Sequence, residues 1–177
     1  MGTGTYRTIR DLRGDDYHVE RDGEEILSAD LAEFTDGELK FKHDDQEVFR
    51  VERTPVDDGV SFLVIDTATG DEIAALVNTG GVLGGRWEVR DPTTGTVIVS
   101  FKCEDSVVNA VTTVSQLGKL KRHEYAIVDV QDGVIGAITA TAEKLTVTHE
   151  ITIDADASVT QELVLAAATV FDAVQSA

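Results

Sequence analysis

The segment Leu163 to Phe171 reads Leu-Val-Leu-Ala-Ala-Ala-Thr-Val-Phe, apolar on every helical face except at Thr169. A helix that is apolar all round has to be enclosed. Ser158 is a fitting N-cap, and Gln161 three residues on completes a capping box, so the spacing predicts a helix from about Val159 to Gln175. At 1.5 Å per residue it would be roughly 25 Å long, about the length of a seven- or eight-residue strand. It is too short, and too closely followed by Asp172, for a bilayer span of roughly 20 apolar residues.

The rest of the chain is written in strands. Three copies of one unit recur: Phe62-x-Val64-x-Asp66-x-x-x-Gly70-x-x-Ile73, Trp87-x-Val89-x-Asp91-x-x-x-Gly95-x-x-Ile98, and a third from Tyr125 through Ile127, Asp129 and Gly133. In the third the apolar landing, Ile135, comes one residue early. The aromatic and the Val or Ile two places on share one strand face. The Asp starts a turn by accepting from backbone amides ahead of it, and the Gly supplies the positive φ that closes the hairpin. Pro92 fixes φ at the first corner of the second copy. Tyr17 to Gly23 is an earlier variant with an Asp22-Gly23 turn. Turn chemistry thus explains these aspartates without metal ligation.

Strand-like runs cover Tyr6 to Leu12, Tyr17 to Glu20, Glu25 to Ala29, Leu39 to His43, Val48 to Arg53 and Ser61 to Asp66. They resume at Glu72 to Asn78, Arg86 to Arg90, Thr96 to Cys103, Glu124 to Val130, Val134 to Ala140 and Leu145 to Ile153, with Val107 to Leu117 a less regular candidate. Such a meander is expected to close on itself, because open edges invite aggregation. A barrel of about a dozen strands is wider than the eight whose own side chains fill the interior. The expectation is a mainly β, single-domain chain over residues 1–177: a closed barrel of about twelve mostly antiparallel strands around the C-terminal helix. Ala166, Ala167 and Ala168 would let the barrel wall come close.

Asp and Glu total 33 against 15 Lys and Arg, for a formal net charge of -18. The acids are dispersed through dense Val, Ile and Leu alternation, which a disordered acidic protein would lack. A folded domain of this kind suits a salt-rich cytoplasm, where the screening length falls to roughly 3 Å at molar salt and carboxylate repulsion fades. The same charge disfavours nucleic acid as a partner. The single cysteine, Cys103, lies in an apolar run and is expected to be a buried, inert thiol. The start, Met1 to Tyr6, has neither a signal-peptide layout nor a myristoylation pattern, and no segment is long enough to cross a bilayer, so a cytoplasmic location is expected.

The strand-Asp-turn-Gly-strand units, as in Trp87 to Ile98, followed by Glu150-Ile151-Thr152-Ile153 and the apolar run Leu163 to Asp172, resemble the tubby C-terminal-like superfamily. Within it the chain is most similar to LURP-one-related proteins, with phospholipid scramblases as cousins, over about Tyr17 to Val174. The resemblance implies a twelve-stranded barrel around a central hydrophobic helix. It also implies phosphoinositide head groups as ligands in tubby domains and membrane action in scramblases. A scramblase-like anchor and a lipidation cysteine cluster are absent from this sequence.

Enzyme motifs are lacking: there is no Gly-x-Ser-x-Gly elbow and no Gly-Lys-Ser/Thr phosphate loop. Thr79 to Gly85 is glycine-rich but not followed by a helix, so it reads as a hairpin tip. His18, His43, His123 and His149 have no zinc spacing; the first, second and fourth are expected to be exposed cross-strand partners. Asp154-Ala155-Asp156 and Asp57-Asp58 lack the spaced oxygens of a calcium loop. No cofactor, metal or catalytic set is therefore assigned. The dense basic group is Lys119, Lys121 and Arg122, beside His123 in the loop before the third hairpin, a candidate anion site for a phosphate head group or an acidic partner. The leading expectation is a non-enzymatic binding or scaffold domain touching membranes at most peripherally. The rivals are an enzyme with a barrel-rim site at Asp129 or Asp154 with a histidine, and a structural protein–protein module.

Overall fold

Alternating burial runs through strand after strand: Tyr17 and Val19, Leu39 and Phe41, Phe49 and Val51, Trp87 and Val89, and Val99 and Phe101 all point to one side and are buried. Such faces need a common core. The computed structural model supplies it by closing the sheet. It describes residues 4–11, 16–30, 37–55, 61–79, 86–103, 120–130, 133–143, 146–154, 157 and 160–175.

The strands are β1 (Gly4–Asp11), β2 (Asp16–Arg21), β3 (Glu24–Asp30), β4 (Glu38–His43), β5 (Gln46–Thr54) and β6 (Ser61–Asp66), then β7 (Glu72–Asn78), β8 (Arg86–Arg90), β9 (Val97–Cys103), β10 (Leu120–Asp129), β11 (Val134–Glu143) and β12 (Thr146–Ile153), followed by the helix α1 (Gln161–Gln175). Each strand pairs antiparallel with its sequence neighbour, and β1 closes the barrel on β12, from Gly4 opposite Ile153 to Asp11 opposite Thr146. The expected strands are all present. The candidate Val107 to Leu117 lies outside the described residues.

Antiparallel order puts the β2–β3, β4–β5, β6–β7, β8–β9 and β10–β11 turns at one end of the barrel, the aspartate end. The carboxylates of Asp66 and Asp91 act there as expected: Asp66 Oδ1 accepts from the Ala68 and Thr69 amides at 2.8 and 3.0 Å, and Asp91 Oδ1 from those of Thr93 and Thr94 at 3.0 and 2.7 Å. Gly70 and Gly95 hold φ of 76° and 71°, which other L-residues reach only with strain.

The third copy corrects the sequence expectation. Gly133 is not in the left-handed region. The Asp129 amide donates to Gly133 O at 3.0 Å, whereas the Asp66 and Asp91 amides reach Asp71 and Thr96, one residue beyond the glycine. The turn closes one residue sooner, which accounts for the early isoleucine.

A second regularity is visible only in the register. Each of these five hairpins carries a bulge just past an inward pair, after Val19 and Leu27, Phe41 and Phe49, Val64 and Ala74, Val89 and Val99, and Ile127 and Gly136. The extra residues are Ile26, Val48, Ile73, Ile98 and Ile135. What the sequence offers as the apolar landing of each returning strand is the bulged residue. Bulges raise local twist and bend the strand, which a closing sheet requires.

The helix fills the lumen. Every residue from Leu163 to Val170 is buried, with Ala166, Ala167 and Ala168 at 0 % exposure. The one polar side chain of that run, Thr169, donates from Oγ1 to Leu165 O at 3.0 Å, so it enters the core satisfied. The helix starts at the aspartate end, where the Tyr6 hydroxyl donates to Gln161 Oε1. Ser158 lies outside the described residues. The Gln161 side chain, expected to complete a capping box, is instead engaged by the barrel wall.

Candidate functional site

The basic group splits on inspection. Lys119 lies outside the described residues, while Lys121 and Arg122 belong to β10 rather than to the loop expected before it. The ten-residue β11 offers pairing partners beyond Ala140, so β10 begins at Leu120, opposite Ala142. Lys121 stands opposite Thr141, and a register shift before His123 places Arg122 in a bulge. These residues sit at the end of the barrel opposite the aspartate turns. The structure describes their backbone only.

Elsewhere on the outer wall Arg50, Arg86 and Arg90 are heavily engaged. Arg50 Nε donates to Glu52 Oε1 at 2.7 Å and lies 3.4 Å from Glu38, with its Nη1 3.7 Å from Glu47. The Glu52 hydrogen bond, against a smaller opposing effect of desolvation, and the charges of Glu52, Glu38 and Glu47 hold the guanidinium pKa above its ordinary value. Glu88, only 6 % exposed, receives Arg86 Nη2 at 3.2 Å on one oxygen and Arg90 on the other, from Nη2 at 2.6 Å and Nε at 2.9 Å. The Arg-x-Glu-x-Arg spacing puts the three on one strand face, a signal present in the sequence. A carboxylate clasped between two arginines is a structural ion pair.

The histidines divide. His18 Nδ1 lies 2.9 Å from Glu25 Oε2 on the next strand, both exposed, as expected of a cross-strand pair. His43 Nδ1 is 2.8 Å from Ile26 O. His149 departs from expectation: it is 6 % exposed, because the β12 alternation of Val147, His149, Ile151 and Ile153 faces inward. It stands opposite Thr8 on β1, whose buried Oγ1 has no hydrogen-bond partner. Arg10, two residues on, lies over the Tyr17 ring at 5.8 Å. These polar groups line the inner wall on the side away from the aspartate turns. Closure of β1 on β12 brings them together, and nothing local in the sequence announces that.

The two rim aspartates differ. Asp129 Oδ1 accepts from the Gly133 amide at 2.9 Å, whereas Asp154 is exposed and it is its backbone amide that donates, to Ile135 O at 2.8 Å. Among the described residues, no three His, Cys, Asp or Glu side chains are grouped to hold a metal. Cys103 ends β9, with its side chain outside the described residues, as are Gly80 to Gly85, Asp57, Asp58 and Asp156. Among the described residues no helix is long and apolar enough to cross a membrane. Comparison with family models, with curated proteins and with solved structures returns no match.

Proposed function

We propose that this chain is a non-enzymatic binding or scaffold domain of the LURP-one-related, tubby-like type, working in a salt-rich cytoplasm. The observation that carries this is the helix-filled lumen. A closed barrel of twelve strands would otherwise offer a ligand cavity, yet Leu163 to Val170 occupy it and are buried throughout. Binding then falls to the ends and outer wall. The same helix-in-barrel arrangement is what the family resemblance implies.

The ligand class we assign is an anionic, phosphate-bearing head group met at Lys119, Lys121 and Arg122. Lys121 and Arg122, adjacent near the start of β10, favour this, because neighbouring cations make a local anion site even on an acidic chain. Liposome flotation at high salt tests the assignment. Wild-type protein should float with anionic vesicles, and the Lys119→Glu/Lys121→Glu/Arg122→Glu variant should not. Equal behaviour of the two proteins would remove lipid binding from the function.

A further inference from the structure

We propose that the aspartate end of the barrel docks a basic protein segment carrying apolar anchor residues. This rests on the reading of the barrel as a binding domain, but it uses the end opposite Lys121 and Arg122. The exposed large apolar side chains among the described residues are Val48 (37 %), Ile73 (40 %), Val130 (61 %) and Val134 (67 %), and all of them lie at this one end. Single exposed apolar residues scattered over a surface are ordinary; here they fall in two pairs on one rim, Val48 with Ile73 on adjoining hairpins and Val130 with Val134 across one turn, so an extended segment with spaced apolar anchors suits them.

The fold explains how they come to be exposed. Val48 and Ile73 are bulge residues, pushed out of the inward alternation, and Val130 and Val134 flank the β10–β11 turn. The Thr67 amide donates to Val48 O at 3.2 Å, so the β6–β7 turn lies against the β5 bulge and the two neighbouring hairpins form one continuous surface.

The charge around these residues selects the occupant. Asp22, Asp44, Asp45, Asp71, Glu72 and Asp154 are exposed at the same end. Arg21 lies 3.8 Å from Asp22 and His43 lies 3.6 Å from Asp44; among the described residues Asp45, Asp71, Glu72 and Asp154 have no cation within 4.0 Å. A second copy presenting the same end would bring like charges together, and an anionic membrane or nucleic acid would be repelled. Lysine and arginine fit both features at once, because their aliphatic stems can cover valine and isoleucine while the charged heads reach the carboxylates.

Fluorescence anisotropy with two labelled synthetic peptides tests this, one alternating Arg with Leu and one alternating Arg with Ser at equal charge. The titrations use the whole chain at the lowest salt that preserves its circular dichroism. The Arg–Leu peptide should bind more tightly than the Arg–Ser peptide. Val130→Ser/Val134→Ser, which alters only exposed side chains, should weaken the Arg–Leu peptide about tenfold and leave the Arg–Ser peptide unchanged. Val48→Thr/Ile73→Thr serves as a second variant acting on the neighbouring hairpins and should show the same selective loss. Equal affinity for both peptides, indifference to both variants, or binding only to anionic vesicles would each overturn the proposal. Flotation of the Lys119, Lys121 and Arg122 variant reads the other end, so failure here leaves that outcome separate.

Discussion

Gly136 is where the barrel has least room. It lies on β11 opposite Ile153 and faces inward beside Ile127, and a Cβ built on it would meet Thr152 O at 2.2 Å and Ile127 Cδ1 at 3.1 Å. The isoleucine tip could rotate away; the carbonyl cannot. Thr152 is paired with Ala137 on one side and Thr5 on the other, so relief of nearly 1 Å requires β12 to shift against two ladders at once. Overpacking of this kind costs about 1–3 kcal/mol, occasionally more. Replacing glycine also restricts the unfolded chain, which returns about 0.4–1 kcal/mol. The net expected for Gly136→Ala is therefore a loss of about 1–2 kcal/mol. With a urea slope of roughly 1–3 kcal/mol/M, the unfolding midpoint should drop by about 0.3–2 M at unchanged slope. Urea titration followed by circular dichroism, at a fixed high salt concentration, measures it. A variant as stable as the wild type would mean that β11 and β12 do not approach as described.

Two further outcomes follow from the charges. The Thr94 amide and hydroxyl, with the Thr93 amide, hold the Asp91 carboxyl below its ordinary pKa against a smaller desolvation effect. A depressed folded value stabilises the fold above the unfolded pKa, and that contribution is lost as pH falls through the folded one. Asp91→Ala should thus be less stable than wild type near neutrality, with the gap closing below about pH 4, as urea midpoints measured from pH 7 to pH 2 would show; a gap independent of pH would refute the turn assignment. Circular dichroism during dialysis from molar salt into dilute buffer should show loss of structure, because a net charge of -18 is then unscreened. Full retention of the spectrum would contradict the salt-rich setting.

Much of the fold is legible in the sequence because its signals are local. Period-two alternation marks the strands, Asp with Gly marks the Asp66 and Asp91 turns, and an all-apolar run demands enclosure. The misses are of a different physical kind. Gln161 looks like a capping residue, but its partner is Tyr6, 155 residues away and brought close only by closure of the barrel. His149 and Thr8 meet through the β1–β12 pairing, so their burial is a property of topology. The isoleucine ending each repeated unit reads as an ordinary strand position, because a bulge changes register without changing composition. At the basic group, strand pairing with β11 overrides a charged, loop-like composition, and Lys121 and Arg122 join β10. Conversely, the Arg86, Glu88 and Arg90 clasp follows from alternation alone.

Solvent access to position 167 tests the enclosed helix most directly. Ala167 is 0 % exposed at the middle of α1, so an Ala167→Cys thiol in a Cys103→Ser background should resist a water-soluble thiol reagent while the protein is folded. It should react fully once denatured. Reaction in the folded protein at the rate of a free thiol would place α1 outside the barrel.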